Sequence, residues 1–329
     1  MLKLTNNEIK YIKNLNFNLL YIMSDNSNTK IKVRTGKPGR PRKNPIREPK
    51  PRNGIVKEPK DSRHYIEFLY DKPQLFKKIW QFFKLIAVDK INILFQKDKI
   101  IMYCNDHLKK SKIKVIIDCT KVNHYYCENE LDICLSSKHP ELIMATIDKS
   151  YTSILILSTH ENLQKSIQFN FTNDLEIDSI YHIELLGEPA QIKQKEDFDK
   201  EDYMISFNLN GRYFKKIISD IRSFSDQLTF KQDNIEDPLL LDYNTTDKKV
   251  KALHRIKHSN KKSNLKSKLK EDDTFRVSVK IDYIKPISSS ILSENIKIFV
   301  DENKDLMVKA VMDVIEVKIL TQIIDNREI

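Results

Sequence analysis

Glycine is scarce in this chain: five in 329 residues, at Gly36, Gly39, Gly54, Gly187 and Gly211, the first three inside a proline-rich stretch. A phosphate-cradling loop or a dinucleotide fingerprint needs clustered glycines, because only a bare backbone approaches phosphate closely. That excludes P-loop NTPases and Rossmann enzymes. Cysteine is also sparse. Cys104, Cys119, Cys127 and Cys134 form no CxxC pair and no Cys/His ligand run, so they read as thiols of a reducing intracellular compartment. The eight histidines show no HExxH-like spacing, and no nucleophile elbow or paired acidic motif stands out. An enzyme is therefore not expected, nor a metal or cofactor. No apolar run approaches the roughly 20 residues that span a bilayer, so no membrane partner is expected either.

What the chain does have is positive charge, unevenly placed. The net charge is +11, from 57 Lys and Arg against 46 Asp and Glu. Residues 30–60 carry +10, residues 247–273 carry +6 and residues 1–29 carry +1. The remainder is therefore net negative, a mildly acidic body with two basic appendages. The first appendage holds six of the eleven prolines and cannot bury apolar surface, so residues 1–62 read as a disordered basic tail. Its centre, Lys37-Pro38-Gly39-Arg40-Pro41-Arg42-Lys43, resembles an AT-hook. Such a segment lies in a narrow A·T minor groove, where negative potential attracts arginine. A plain basic linker or nuclear import signal is the blander reading of Lys37, Gly39, Arg40, Pro41, Arg42 and Lys43. Met23-Ser24 is the expected start, with residues 1–22 an upstream extension. The second appendage, 247–273, reads as a solvated loop insertion, with contact to DNA or a partner as the alternative.

The body is α+β. Short β-branched segments are expected as strands at 64–70, 91–95, 99–104, 113–118, 153–158, 166–171 and 180–185. Others follow at 203–209, 227–232, 274–281, 295–300, 305–312 and 314–320. Two clear helices are expected at 74–87, behind Pro73, and at 212–224, with weaker ones at 138–147 and 282–292. The clear helices match: Phe76-Lys77-Lys78-Ile79 recurs as Phe214-Lys215-Lys216-Ile217, and Phe83-Lys84 corresponds to Ile221-Arg222. Phe76, Ile79 and Phe83 share one helix face, and Lys77 and Lys84, seven apart, share another. The same pattern holds in the second copy. The chain is therefore expected to contain two similar domains, 63–184 and 203–329. An exposed connector, 185–202, opens with Leu186-Gly187-Glu188-Pro189.

Taken in order, these segments resemble the DNA sliding clamps of the proliferating cell nuclear antigen type, and in particular the divergent clamp-like proteins of large cytoplasmic DNA viruses. Those also carry a Met-Ser start, a Gly-Arg-Pro basic tail and a segment like Val122-Asn123-His124-Tyr125-Tyr126. The resemblance covers about 65–329. It implies two similar domains with antiparallel sheets outside and two helices each on the inner face, three chains closing a ring, and duplex DNA through the hole. It makes Lys77, Lys78, Lys84, Lys138, Lys215, Lys216, Arg222 and Lys285 the DNA-facing residues. Loose phosphate contacts by these groups carry no sequence information, so the ring slides. The resemblance also implies capture of short peptides from a DNA polymerase and other replication or repair proteins. His107, Leu108, Leu186, Gly187, Pro189, Ile323 and Ile324 are then the partner-binding residues. A viral clamp implies the host cytoplasm, with the nucleus as the alternative. Two rival readings stay open: an open monomer or dimer held on DNA by the basic tail and loop, and an AT-hook chromatin or transcription protein.

Overall fold

The structure is a computed structural model. It describes residues 58–86, 88–163, 165–187, 198, 202–244, 251–257, 265–271, 273–289 and 295–324, all within one unit, Arg52–Ile329. The AT-hook-like residues and Pro189 lie outside the described residues. The first half runs β1 (His64–Tyr70), α1 (Pro73–Leu85), β2 (Lys90–Phe95), β3 (Lys99–Asn105), β4 (Ser111–Asp118), β5 (His124–Cys127), β6 (Leu131–Ser136), α2 (Lys138–Thr146), β7 (Tyr151–Thr159), β8 (Ser166–Asn173) and β9 (Asp178–Glu184). The second runs β10 (Ile205–Asn210), α3 (Gly211–Arg222), β11 (Gln227–Gln232), β12 (Leu239–Asn244), β13 (Lys251–Ile256), β14 (Lys266–Ser267), β15 (Phe275–Lys280), α4 (Ile281–Ser289), β16 (Asn295–Asp301), β17 (Lys304–Met312) and β18 (Ile315–Thr321).

The helices form where the pattern asks for them. Pro73 opens α1, its fixed φ suiting the first turn and its missing N–H costing nothing there. Asn210 caps α3, its Oδ1 accepting from the N–H groups of Arg212 at 3.0 Å and Tyr213 at 3.4 Å. Phe76, Ile79 and Phe83 of α1 and Phe214, Ile217 and Ile221 of α3 are all buried in one continuous core. The four cysteines are buried and free of disulfides.

The strand pairing repeats itself. One sheet has the order β5-β1-β7-β8-β9, and the second half builds β14-β10-β16-β17-β18. The first half builds β4-β3-β2-β6, and the second builds β13-β12-β11-β15. Each strand therefore has a counterpart with the same neighbours nine strands later. Following the registers from strand to strand makes Ile180 on β9 the counterpart of Lys318 on β18, and Leu253 on β13 the counterpart of Lys114 on β4.

One pairing joins the halves. β18 runs antiparallel to β4, with Val317 opposite Val115 and Lys318 opposite Lys114, which fuses two of the sheets into one of nine strands. Asp313, in the left-handed conformation (φ 53°) between β17 and β18, reinforces the junction. It accepts from the Tyr70 hydroxyl and the Lys72 ammonium, each at 2.8 Å. Where the chain enters β1, the buried Glu67 carboxylate accepts from the backbone of Lys60 at 2.9 Å, from His64 at 2.7 Å and from His124 at 2.5 Å. Burial pushes that carboxyl up, but these bonds outweigh it and hold it below its ordinary range.

The stretch 247–273 is not simply a loop. Residues 251–256 form β13 on β12, residues 266–267 pair with β10, and Leu265 and Leu269 are buried. Its high lysine content hides an alternation: Ala252, His254 and Ile256 share one face of β13, while Leu253 and Arg255 point the other way. β6 and β12 also escape the sequence reading, because Asp132 and Asp242 interrupt their apolar patterns, as does β5, which is only four residues long.

Candidate nucleic-acid interface

The four helices touch in the row α2-α1-α4-α3, with the α1–α4 contact crossing between the halves. They carry nine Lys and Arg against three acids: Glu141, Asp220 and Asp282. The apolar side of each clear helix is taken up by the sheets, so the charge lies on the side away from them. This is what an amphipathic helix on a sheet must do.

The two basic faces differ in detail. Lys77 is half-buried, and its ammonium donates to the Ile147 carbonyl at the end of α2. Lys84 pairs with Glu141 on α2. Two of the three α1 lysines thus tie helix to helix, leaving Lys78 exposed without such a bond. On α3, Lys215, Lys216 and Arg222 are all exposed, and none makes an ion pair with a described residue. Arg212, which the sequence pattern did not single out, is exposed on the same helix. Lys138 is exposed at the start of α2, whereas Lys285 on α4 is half-buried.

The expected partner-binding residues are only partly brought together. His107 and Leu108 are exposed on a tight turn closed by the Lys109 N–H donating to the Asp106 carbonyl at 3.0 Å. The Asp106 side chain accepts from Lys110 N–H at 2.7 Å. The Gln322 N–H donates to the Lys110 carbonyl at 3.0 Å, which sets Ile323 beside this turn. Ile324 turns away, its N–H donating to the Ser278 carbonyl at 2.8 Å. Leu186 bonds Cys134 on β6 at 2.8 Å, three strands from β4. Gly187 has no atom within 4 Å of where a Cβ would stand.

The largest omission is Phe198. It is fully buried in a cluster apart from the main core, with Tyr203, Phe299, Met307 and Leu320. It sits on the face of the nine-stranded sheet opposite the helices. On that face Lys114, Lys318, Lys309 and Lys297 lie directly opposite one another across β4, β18, β17 and β16. The signal available in sequence was a lysine flanked by apolar residues in each of these strands, as in Ile113-Lys114-Val115 and Val317-Lys318-Ile319.

No family model matches the chain. Its sequence is 26% identical over 297 residues to an uncharacterized protein of African swine fever virus, Pretoriuskop isolate, covering 88% of this chain and 97% of the relative. The Malawi isolate's counterpart matches equally well, at 26% identity over the same 297 residues. Among solved structures, proliferating cell nuclear antigen from Entamoeba histolytica superposes with a TM-score of 0.66 at 13% identity, over 79% of this chain and 99% of that one. The fold is that of proliferating cell nuclear antigen. The antigen from Thermococcus kodakaraensis superposes with the same TM-score at 14% identity, over 79% of this chain and 100% of that one. The PCNA2–PCNA3 complex from Sulfolobus tokodaii gives 0.65. Among the described residues, no cluster of three or more His, Cys, Asp or Glu is arranged to hold a metal ion, and no helix is long and apolar enough to cross a membrane.

Proposed function

We propose that this chain is a subunit of a DNA sliding clamp: three copies close head to tail around duplex DNA and tether a DNA polymerase and other replication or repair enzymes. It acts as a scaffold in an infected host cell. The observation that carries this reading is a pairing used once and offered again. β18 and β4 join the halves within the chain, while among the described residues their counterparts β9 and β13 stand at the free edges of their sheets. Carrying the β18–β4 register over to β9 and β13 pairs Ile180 with Leu253 and Asp178 with Arg255.

Those pairs are chemically matched. Ile180 is 55% exposed and Leu253 47%, apolar surface open to a partner. Asp178 and Arg255 carry opposite charges, which favours cross-strand pairing. The helices agree: α1 meets α4 inside the chain, so α3 of one copy meets α2 of the next. The exposed Tyr213 and Phe224 flank that end of the row, and Leu142, 67% exposed, stands at the other. An unpaired edge strand otherwise invites uncontrolled association, and a closed ring removes it.

Inside the ring the helices of three copies would present a cationic wall. Contacts to phosphate through long, solvated side chains are nearly equal in every register along DNA, so topology holds the ring on and charge only centres it. The AT-hook-like tail adds a second tether, with a preference for A·T minor grooves. Light scattering after size-exclusion chromatography tests the assembly. The wild type is expected near three times 38.8 kDa, and Ile180→Arg is expected to run as a folded monomer that no longer stays on nicked circular DNA. Restoration of the trimer by Asp178→Arg with Arg255→Asp, after either single change has broken it, would fix the register. A wild type that is monomeric at every concentration but still binds linear DNA supports the open form instead.

A further inference from the structure

The seam inside the chain and the seam between copies are built from different chemistry. The seam inside the chain is apolar. On its helix-facing side Ile315, Val317 and Ile319 of β18 lie opposite Ile117, Val115 and Ile113 of β4, and all six are buried. Covalent linkage adds to this, because one half can never diffuse away from the other. The same register carried to β9 and β13 of neighbouring copies gives weaker apolar partners: Ser179 takes the place of Val317 opposite His254, and Tyr181 that of Ile319 opposite Ala252. Among the helices, the match of Phe76 to Phe214 makes Asp220 of α3 the counterpart of Phe82 of α1, which is fully buried.

What the outer seam lacks in apolar contact it has in charge. The β8–β9 edge is acidic. Asp174, Glu176, Asp178 and Glu184 are all exposed, and the sequence from Ser166 to Gln191 contains no Lys or Arg. The β13 edge is basic. Arg255 is exposed, and the sequence from Lys248 to Lys270 contains no Asp or Glu. Edges of opposite sign steer copies together head to tail and keep like edges apart. The seam inside the chain shows how an acid is used at such a place. Asp313, left-handed (φ 53°) in the β17–β18 turn, accepts from Tyr70 and from Lys72 at the entry to α1. The β8–β9 turn likewise holds a left-handed acid, Glu176 (φ 58°). The entry to α3 presents the exposed Arg212. Among the described residues neither Glu176 nor Arg212 has an ion-pair partner in its own chain.

We propose that the seam between copies is an electrostatic latch, Glu176 and Asp178 of one copy against Arg212 and Arg255 of the next, and that it is the gate through which duplex DNA enters the ring. Salt loosens this seam while the apolar seam inside each chain stays shut, because exposed ion pairs are screened by salt and buried apolar contacts are not. The inference rests on the clamp reading and adds where the ring opens and what opens it.

Sedimentation velocity of the intact chain at about 50 mM and about 500 mM NaCl tests the latch. The wild-type trimer is expected to dissociate on the order of tenfold more readily at the higher salt, with an unchanged circular dichroism spectrum. Glu176→Gln with Asp178→Asn should weaken the trimer about fivefold at low salt and remove most of the salt effect. Arg212→Gln with Arg255→Gln should do the same. Both pairs of changes lie on exposed side chains, so the variants should keep the wild-type spectrum. The gate is tested on covalently closed plasmid with no other protein present. Retention of the chain should rise about threefold after a brief rise in salt and return to low salt, and cutting the plasmid should release it. A trimer equally firm at both salts overturns this inference and leaves the clamp reading standing. So does a salt effect undiminished in both neutralised variants, or retention that gains nothing from the salt step. A chain that is monomeric at low salt at every concentration overturns the clamp reading and this inference with it.

Discussion

The two basic helices carry nearly the same sequence and are used differently. In α1, Lys77 and Lys84 bond to α2 at Ile147 and Glu141, so much of the charge is spent on holding two helices together. In α3, Lys215, Lys216 and Arg222 are exposed, and Arg212 joins them. Local sequence writes the same amphipathic helix twice, but the neighbouring helix decides whether its charge is structural or available. α2 supplies an acid and a carbonyl at the right distance. α4 faces α3 with Asp282 as its one acid.

The strongest way to break the equivalence of the halves is through their cores. Phe76→Ala and Phe214→Ala should each cost about 3–5 kcal/mol, since both remove a fully buried ring. Urea unfolding measures both, and a large cost from one with almost none from the other would end the claim of a repeated fold. Next in size is the effect on DNA. Lys215→Glu with Arg222→Glu should weaken duplex binding on the order of tenfold and flatten its salt dependence. Lys77→Glu with Lys84→Glu should weaken it less and lower thermal stability more. The reverse order in a salt titration would show that α1, not α3, meets the phosphates.

A smaller effect concerns the junction. The Lys72 ammonium, together with the Tyr70 hydroxyl, holds the Asp313 carboxyl below its ordinary range against the opposing pull of burial. A depressed carboxyl contributes stability that is fully present above its unfolded value near pH 4 and is lost as pH falls through the folded value. Asp313→Asn should therefore cost about 1 kcal/mol or less at neutral pH, given its partial exposure, and nothing at pH 2. An undiminished acid-dependent loss in the variant's unfolding curves would remove Asp313 from that role. The smallest change is Lys84→Met. Its pair with Glu141 is solvent-exposed, so about 0–1 kcal/mol is expected at low salt and less at high salt.

Much of this was legible beforehand because periodicity is local. The helix faces around Phe76 and Phe214 and most strands follow from the side-chain period. So does the basic stripe, since residues seven apart must share a helix face. The residues that escaped depend on contacts distant in sequence. β13 was hidden in a lysine-rich stretch, and its alternation becomes a strand only because β12 lies beside it. Phe198, in an acidic and polar stretch, carries no periodic signal; it becomes a core residue only because β16, β17 and β18 bring Phe299, Met307 and Leu320 under it. Ile323 meets the His107 turn because β18 pairs with β4, a contact spanning some two hundred residues. Leu186 stands apart from that turn because it bonds Cys134 on β6, the edge strand three strands from β4.

By itself, the order of amino acids determined the α+β character, the doubled amphipathic helix and the cationic stripe, because each arises from spacing within a few turns of backbone. Only the tertiary structure decided which lysines are spent on neighbouring helices, which sheet edges stay open, and that a lysine row with an aromatic pocket lies on the face away from the helices. Those outcomes depend on which strands become neighbours, and strand register converts distant residues into opposing pairs that no local pattern encodes.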